Sequence, residues 1–140
     1  MTATKTAPYG SWKSPITSEL IVAETIGLGR PVFDDDDIYW VELRPRENGR
    51  SVIVRRSGDG KTTDLTPPPL NARTRVHEYG GGAFAVAAGT IYFSSFADQR
   101  VYRQQGAGEP RCITPPLALR YADYTVDAGR GLLYCVREDH

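Results

Sequence analysis

The sequence holds two cysteines, two histidines and one methionine in 140 residues, and it has no net charge, with lysine plus arginine and aspartate plus glutamate each totalling 17. Each shortage excludes something. Cys112 and Cys135 stand too far apart for a zinc knuckle or a redox motif, so both are expected to be buried, reduced thiols. A balanced charge gives no global field of the kind that non-specific nucleic-acid binding needs. No apolar run approaches a membrane span, and Met1 to Pro8 has a lysine but no apolar stretch behind it, so neither a secretory signal nor a membrane role is read and a cytoplasmic location is expected. Hydrophobic residues at 40%, with eight tyrosines and two tryptophans, are ample for one folded domain.

The most specific stretch is Arg73-Thr74-Arg75-Val76-His77-Glu78-Tyr79-Gly80-Gly81-Gly82-Ala83-Phe84. Consecutive glycines let the backbone take positive φ or lie against another strand with no Cβ in the way, and such a run before an apolar segment marks a tight strand start. Two readings fit. Either Arg75, His77, Glu78 and Tyr79 reach into a cavity and bind something, or they form a structural plug whose polar tips satisfy loop carbonyls, the commoner fate of polar groups at a turn.

Residues 1–29 read as an N-terminal arm with a short helix over Ser14–Ala23, capped by Ser14 with Pro15 at its first position. From 30 to 140 every signal is β. Short strands recur between turn signals at Asn48-Gly49, Gly58 to Gly60, Gly89, Ala97-Asp98 and Asp127 to Gly131. The order repeats: Leu65-Thr66-Pro67-Pro68-Pro69-Leu70 returns as Ile113-Thr114-Pro115-Pro116-Leu117 after 48 residues, and Ile38-Tyr39-Trp40 returns as Ile91-Tyr92-Phe93 after 53. A four-stranded unit at ~40–50 residues is the signature of a β-propeller blade. The predicted fold is all-β, with blade 1 over about 30–70, blade 2 over about 78–118 and blade 3 begun over about 121–140. Continuous apolar strands such as Ile38–Val41 and Leu132–Val136 fit sheets covered on both faces. Since a propeller closes with ~4–8 blades, the chain is expected to be the N-terminal part of a longer polypeptide or a truncated gene product, with an open edge able to self-associate.

With these units placed, Tyr9-Gly10-Ser11-Trp12-Lys13-Ser14-Pro15-Ile16, Ile38-Tyr39-Trp40-Val41-Glu42 with Arg44-Pro45 and Gly49-Arg50, and Arg73 to Gly82 resemble the propeller start of a prolyl oligopeptidase-family serine peptidase of the dipeptidyl aminopeptidase/acylaminoacyl-peptidase type. The resemblance implies a propeller, commonly seven-bladed, that caps a C-terminal α/β-hydrolase domain and limits access to short peptides. Its implied partners are the remaining blades, that hydrolase domain and short peptides. No Gly-x-Ser-x-Gly elbow occurs here, and His77 and His140 lie outside any such context, so no catalytic residue is assigned and the segment itself is expected to be inactive. No cofactor is expected. Asp34 to Asp37 lack the alternating ligands, glycine and glutamate of a calcium loop and read as a blade turn with solvated carboxylates. The alternatives are a stand-alone β-sheet binding or oligomerisation module and an inactive truncated gene product.

Overall fold

A computed structural model describes residues 6–22 and 25–139. Parts of the expected arm and helix (residues 1–5 and 23–24), and His140, lie outside the described residues. The one helix there, α1, spans Ser18–Val22 and starts later than Ser14 implies. Thr17 is the cap: its Oγ1 accepts from the Leu20 N–H at 3.1 Å and its carbonyl from the Ile21 N–H at 3.0 Å. Ser14 closes only a local turn, accepting from the Ile16 N–H at 3.0 Å. No helix among the described residues is long and apolar enough to cross a membrane.

The remainder forms three antiparallel sheets. The first is built from β1 (Gly27–Leu28), β2 (Val32–Asp34), β3 (Asp37–Arg44), β4 (Arg50–Arg56) and β5 (Thr62–Asp64). Strands β1 and β2 both pair with β3, forming one inner strand interrupted at 29–31, where Pro31 has no N–H to give the ladder. Between β3 and β4 a 3-10 turn, Pro45–Glu47, ends on Asn48 in the left-handed region. The second sheet is the meander β6 (Phe84–Ala87), β7 (Thr90–Ser94), β8 (Val101–Gln105) and β9 (Arg111–Cys112). The third is the hairpin β10 (Leu119–Asp127) and β11 (Leu132–Asp139), with a bulge between Ala122 and Thr125. Strand β6 lies beside both β2 and β10, so the inner strands follow one another and the sheets fan about a common axis as blades of a partial β-propeller. No closed barrel forms among the described residues.

The period-2 side-chain alternation of each strand decides which neighbour it packs on. On one face of the second sheet, Ile91 and Phe93 meet Tyr39, Ile53, Leu65 and Ala72, with Phe84, Val86 and Tyr102 around them. On its other face Val101 packs on Leu119, Tyr121 and Tyr124, with Ala85 and Leu133 at the margin. The second sheet is therefore covered on both faces. Each large side chain so buried contributes about 1.5–3 kcal/mol. A polar pin crosses the second interface, where Ser94 Oγ donates to the Tyr121 carbonyl at 2.6 Å and meets the Tyr124 hydroxyl at 2.5 Å. Burial pushes the Tyr124 phenol well above its ordinary range.

The far face of the first sheet carries Trp40, Glu42 and Arg44 opposite Val54, Val52 and Arg50. Arg44 gathers Glu42 at 2.7 Å, Asp64 at 2.6 Å and Glu47 at 3.3 Å, while Arg50 donates to the Thr66 and Leu70 carbonyls. These guanidiniums hold the Asp64 and Glu47 carboxyls below the usual range, Asp64 chiefly through Arg44 and Glu47 chiefly through Arg50. At the hairpin, by contrast, β11 leaves Leu132, Tyr134 and Val136 exposed. Both cysteines are free, as expected, but neither is buried: Cys112 is half-buried and Cys135 exposed, because β11 is an open strand. Partial burial of its thiol still raises the Cys135 pKa.

Candidate functional site

The segment joining β5 to β6 crosses from the outer edge of the first blade to the inner strand of the second. Ala72 bridges to Ser95, after which exposed Arg73, Arg75 and His77 alternate with buried Thr74 and Val76. The buried pair anchors an extended rail, and Gln99 fixes it further by accepting from the Arg75 N–H at 2.7 Å. The chain then turns sharply: the Glu78 N–H reaches the Arg75 carbonyl at 3.0 Å and the Gly80 N–H reaches the Val76 carbonyl at 2.9 Å. This turn forces His77 and Glu78 to φ of 58° and 65°, a left-handed backbone that costs an L-residue about 1–2 kcal/mol each. Gly80, at φ 97°, takes the third such position at no steric cost.

What holds this strain is the third sheet. Arg120 Nη1 donates to the Arg75 carbonyl at 3.0 Å and to Glu78 Oε1 at 2.6 Å. Glu138 Oε1 accepts the His77 N–H at 2.7 Å and lies 3.1 Å from His77 Nδ1. Tyr79, 88% exposed, stacks on His77 with centroids 5.9 Å apart. Gly81 and Gly82 then slide along the β10 bulge: the Gly82 N–H donates to Asp123 Oδ1 at 2.7 Å, and its carbonyl accepts from the Asp123 N–H at 2.8 Å. A Cβ on Gly82 would lie 2.8 Å from Asp123 Oδ1, so the glycine run admits the close strand approach that its sequence suggests.

The structure brings Arg75, His77, Glu78 and Tyr79 onto one exposed surface. Sequence reasoning missed the residues that complete it: Phe96, over whose ring Arg75 Cζ lies at 4.4 Å and Arg73 Cζ at 5.2 Å, and Gln99, Arg120, Asp123 and Glu138. Nothing local marks these as partners, because they sit 21 to 61 residues further along the chain. The cluster carries guanidinium, imidazole, carboxylate and phenol groups with no serine or cysteine, which equips it for recognition of charge rather than nucleophilic attack. Nearby, Asp98 hydrogen-bonds the Tyr102 hydroxyl at 2.7 Å and, with burial, pushes that phenol up to about 12.

Two hollows adjoin the loop. One, of about 710 Å³, lies along the inner strands and is lined by Arg30, Val41, Phe84, Asp123 and Tyr124. The other, of about 490 Å³, opens between the first two blades under Tyr79, over Val41, Leu43, Ala72 and Ala83, with Arg73 on its wall. The aspartate run does more than meet solvent. Asp34 accepts from the Ala88 and Gly89 N–H groups at 3.0 and 2.6 Å, and Asp37 pairs with Arg55 at 2.7 Å and accepts from the Gly58 N–H at 3.2 Å. Only Asp35 and Asp36 are exposed, as the solvated-turn reading expects of all four. Among the described residues no group of three His, Cys, Asp or Glu is arranged to hold a metal ion.

No family model matches the chain, and no curated protein does. Solved structures do. The chain is 36% identical to a puromycin hydrolase, with a TM-score of 0.80 over 93% of this chain and 22% of that one. It is 39% identical to a puromycin-hydrolyzing peptidase of Mycobacterium tuberculosis, with a TM-score of 0.83 over 96% of this chain and 22% of that one. The chain thus spans about a fifth of the length of the proteins it matches.

Proposed function

From the premise that the chain matches the N-terminal propeller part of prolyl oligopeptidase-family peptidases, we propose that it is a non-catalytic propeller segment that helps gate short peptides toward a C-terminal α/β-hydrolase domain. The observation that carries this reading is the 36–39% identity over 93–96% of a chain whose blades fan about one axis. Its partners are then the remaining blades and the hydrolase domain, its substrates are short peptides of the kind that dipeptidyl aminopeptidases and acylaminoacyl-peptidases take, and its location is cytoplasmic.

Within that role Arg75, His77, Glu78 and Tyr79 orient a peptide terminus, Arg75 meeting a carboxylate and Glu78 an amine. In favour stand the exposure of all four and the strained backbone at His77 and Glu78, a kind of strain that clusters at functional sites. Against an amine site stands Arg120, which already neutralises Glu78 at 2.6 Å. The test is Glu78→Gln in the full-length peptidase that carries this segment. A several-fold rise in KM for free-amine peptides, with acylated peptides unaffected, is the expected result; unchanged kinetics on both would leave the loop a structural clamp. A second reading, self-association through β11, is favoured by the exposure of Leu132, Tyr134 and Val136. A defined oligomer of this chain in size-exclusion chromatography would support it.

A further inference from the structure

We propose that Arg103 and Arg111 seat an acidic β-strand: the strand that pairs with the free edge of β11 brings an aspartate or glutamate to these two guanidiniums. The inference rests on the propeller-segment reading and deepens it, naming the chemistry of one contact that the rest of the protein makes with this face.

On β8, Val101 and Arg103 lie on one face, and Val101 is buried beneath Leu119, Tyr121 and Tyr124 of the third sheet. Tyr92, Arg103 and Arg111 stand directly opposite one another across β7, β8 and β9, and Ile113, two residues past Arg111, shares their face. The row therefore points toward the third sheet. The cover that β10 and β11 give to Val101 stops short of it: Arg103 and Arg111 are exposed, and Ile113 is 47% exposed.

The first sheet holds the same row under cover. Tyr39, Arg55 and Thr63 stand in the same register, with Leu65 in the place of Ile113; the Leu65 N–H donates to the Ile53 carbonyl at 2.8 Å as the Ile113 N–H does to the Val101 carbonyl at 2.9 Å. Leu65 is 2% exposed, and β8, the third strand of the next sheet, lies on it, with Gln104 Nε2 donating to the Leu65 carbonyl at 2.7 Å. The matching cover over Arg111 and Ile113 is the third strand of the third sheet, whose place is the free edge of β11.

The charges of the two rows differ. Arg55 is satisfied within its own sheet by Asp37 at 2.7 Å and faces the neutral Thr63. In the second sheet Thr90 stands where Asp37 does, two residues before the tyrosine, and its hydroxyl goes to Gln105 at 2.5 Å; Arg111 replaces Thr63. Two guanidiniums directly opposite repel, and neither pairs with a carboxylate among the described residues. Water makes this tolerable. Beneath a covering strand two unpaired like charges cost far more than the burial of Ile113 returns, so the strand that covers them carries the missing carboxylate.

The experiment uses the full-length peptidase that carries this segment. With a carboxylate at the row, Arg103→Gln and Arg111→Gln should each lower the melting temperature by about 2–4 °C. Without one, removing either of two like charges relieves repulsion, and an unchanged or raised melting temperature overturns the proposal. Arg103→Lys treated with a water-soluble carbodiimide should crosslink to an aspartate or glutamate in the strand that pairs with β11, identified by peptide mass spectrometry; a crosslink only to residues of β1 to β11 or their loops, or none, overturns it as well. Ile113→Ala separates this from the reading beneath it. A melting temperature unmoved by Ile113→Ala would show that no strand covers this face, and both fail; a lowered one beside a neutral Arg103→Gln would overturn the acidic contact alone.

Discussion

Gly82→Ala probes the contact on which the loop depends. The added methyl would lie 2.8 Å from Asp123 Oδ1, closer than such atoms come, and the oxygen cannot simply swing away because it accepts the Gly82 N–H at 2.7 Å. Accommodating the methyl therefore breaks a hydrogen bond to a charged group, worth about 1.5–3 kcal/mol, towards the lower end because Asp123 is exposed and regains water. Replacing glycine by alanine at an accessible backbone angle returns about 0.4–1 kcal/mol by restricting the unfolded chain. The balance is a loss of about 1 kcal/mol, some fivefold in the folding equilibrium. Urea denaturation followed by the half-buried Trp40 reads it directly, and a double-mutant cycle isolates its cause. In an Asp123→Ala background the clash and the hydrogen bond are both gone, the nearest remaining atom being Asp123 Cα at 3.5 Å, so Gly82→Ala should there be neutral or slightly stabilising. An equal effect in both backgrounds would show that the glycine serves something other than the approach to β10.

Two further outcomes follow from the sheets. Phe93→Ala, at a position with 0% exposure and stacked on Tyr102, should cost about 3–5 kcal/mol, a large part of a domain's whole stability, and broaden or abolish cooperative melting in calorimetry. Asp64, whose carboxyl Arg44 holds below its ordinary range, contributes stability that is present above its unfolded pKa of about 3.9 and is lost as pH falls through the lower folded value. Asp64→Asn should therefore flatten the fall of melting temperature below about pH 4, at a cost at neutral pH under about 1 kcal/mol because the side chain is 45% exposed; an unaltered acid limb would mean that the pair contributes nothing.

The strands were legible because their alternation and turn residues are local facts. The second sheet needed only Ile91-Tyr92-Phe93, Gly89 and Val101-Tyr102 to be placed. Strand β1 escaped notice because two residues, one of them glycine, carry no pattern; pairing with β3 alone makes Gly27–Leu28 a strand. The helix start was misplaced because Ser14-Pro15 mimics a cap, whereas the hydroxyl with an amide in reach is Thr17. In the candidate site the glycine run announced a close approach but not its target. Arg120, Asp123 and Glu138 become neighbours only once the third sheet has folded back, and long-range pairing leaves no mark on short windows of sequence.

The grip of Asp34 on the Ala88 and Gly89 amides has a consequence of scale. That carboxylate ties the tip of one sheet to the tip of the next, so together with the buried core it sets the angle through which the second is rotated from the first. Rotation errors add from sheet to sheet in any ring, much as a slightly wrong wedge angle leaves a gap when the last stone of an arch is set. A single short acidic side chain at a hairpin tip, far from any chemistry, thus bears on whether a ring of such sheets can close on itself.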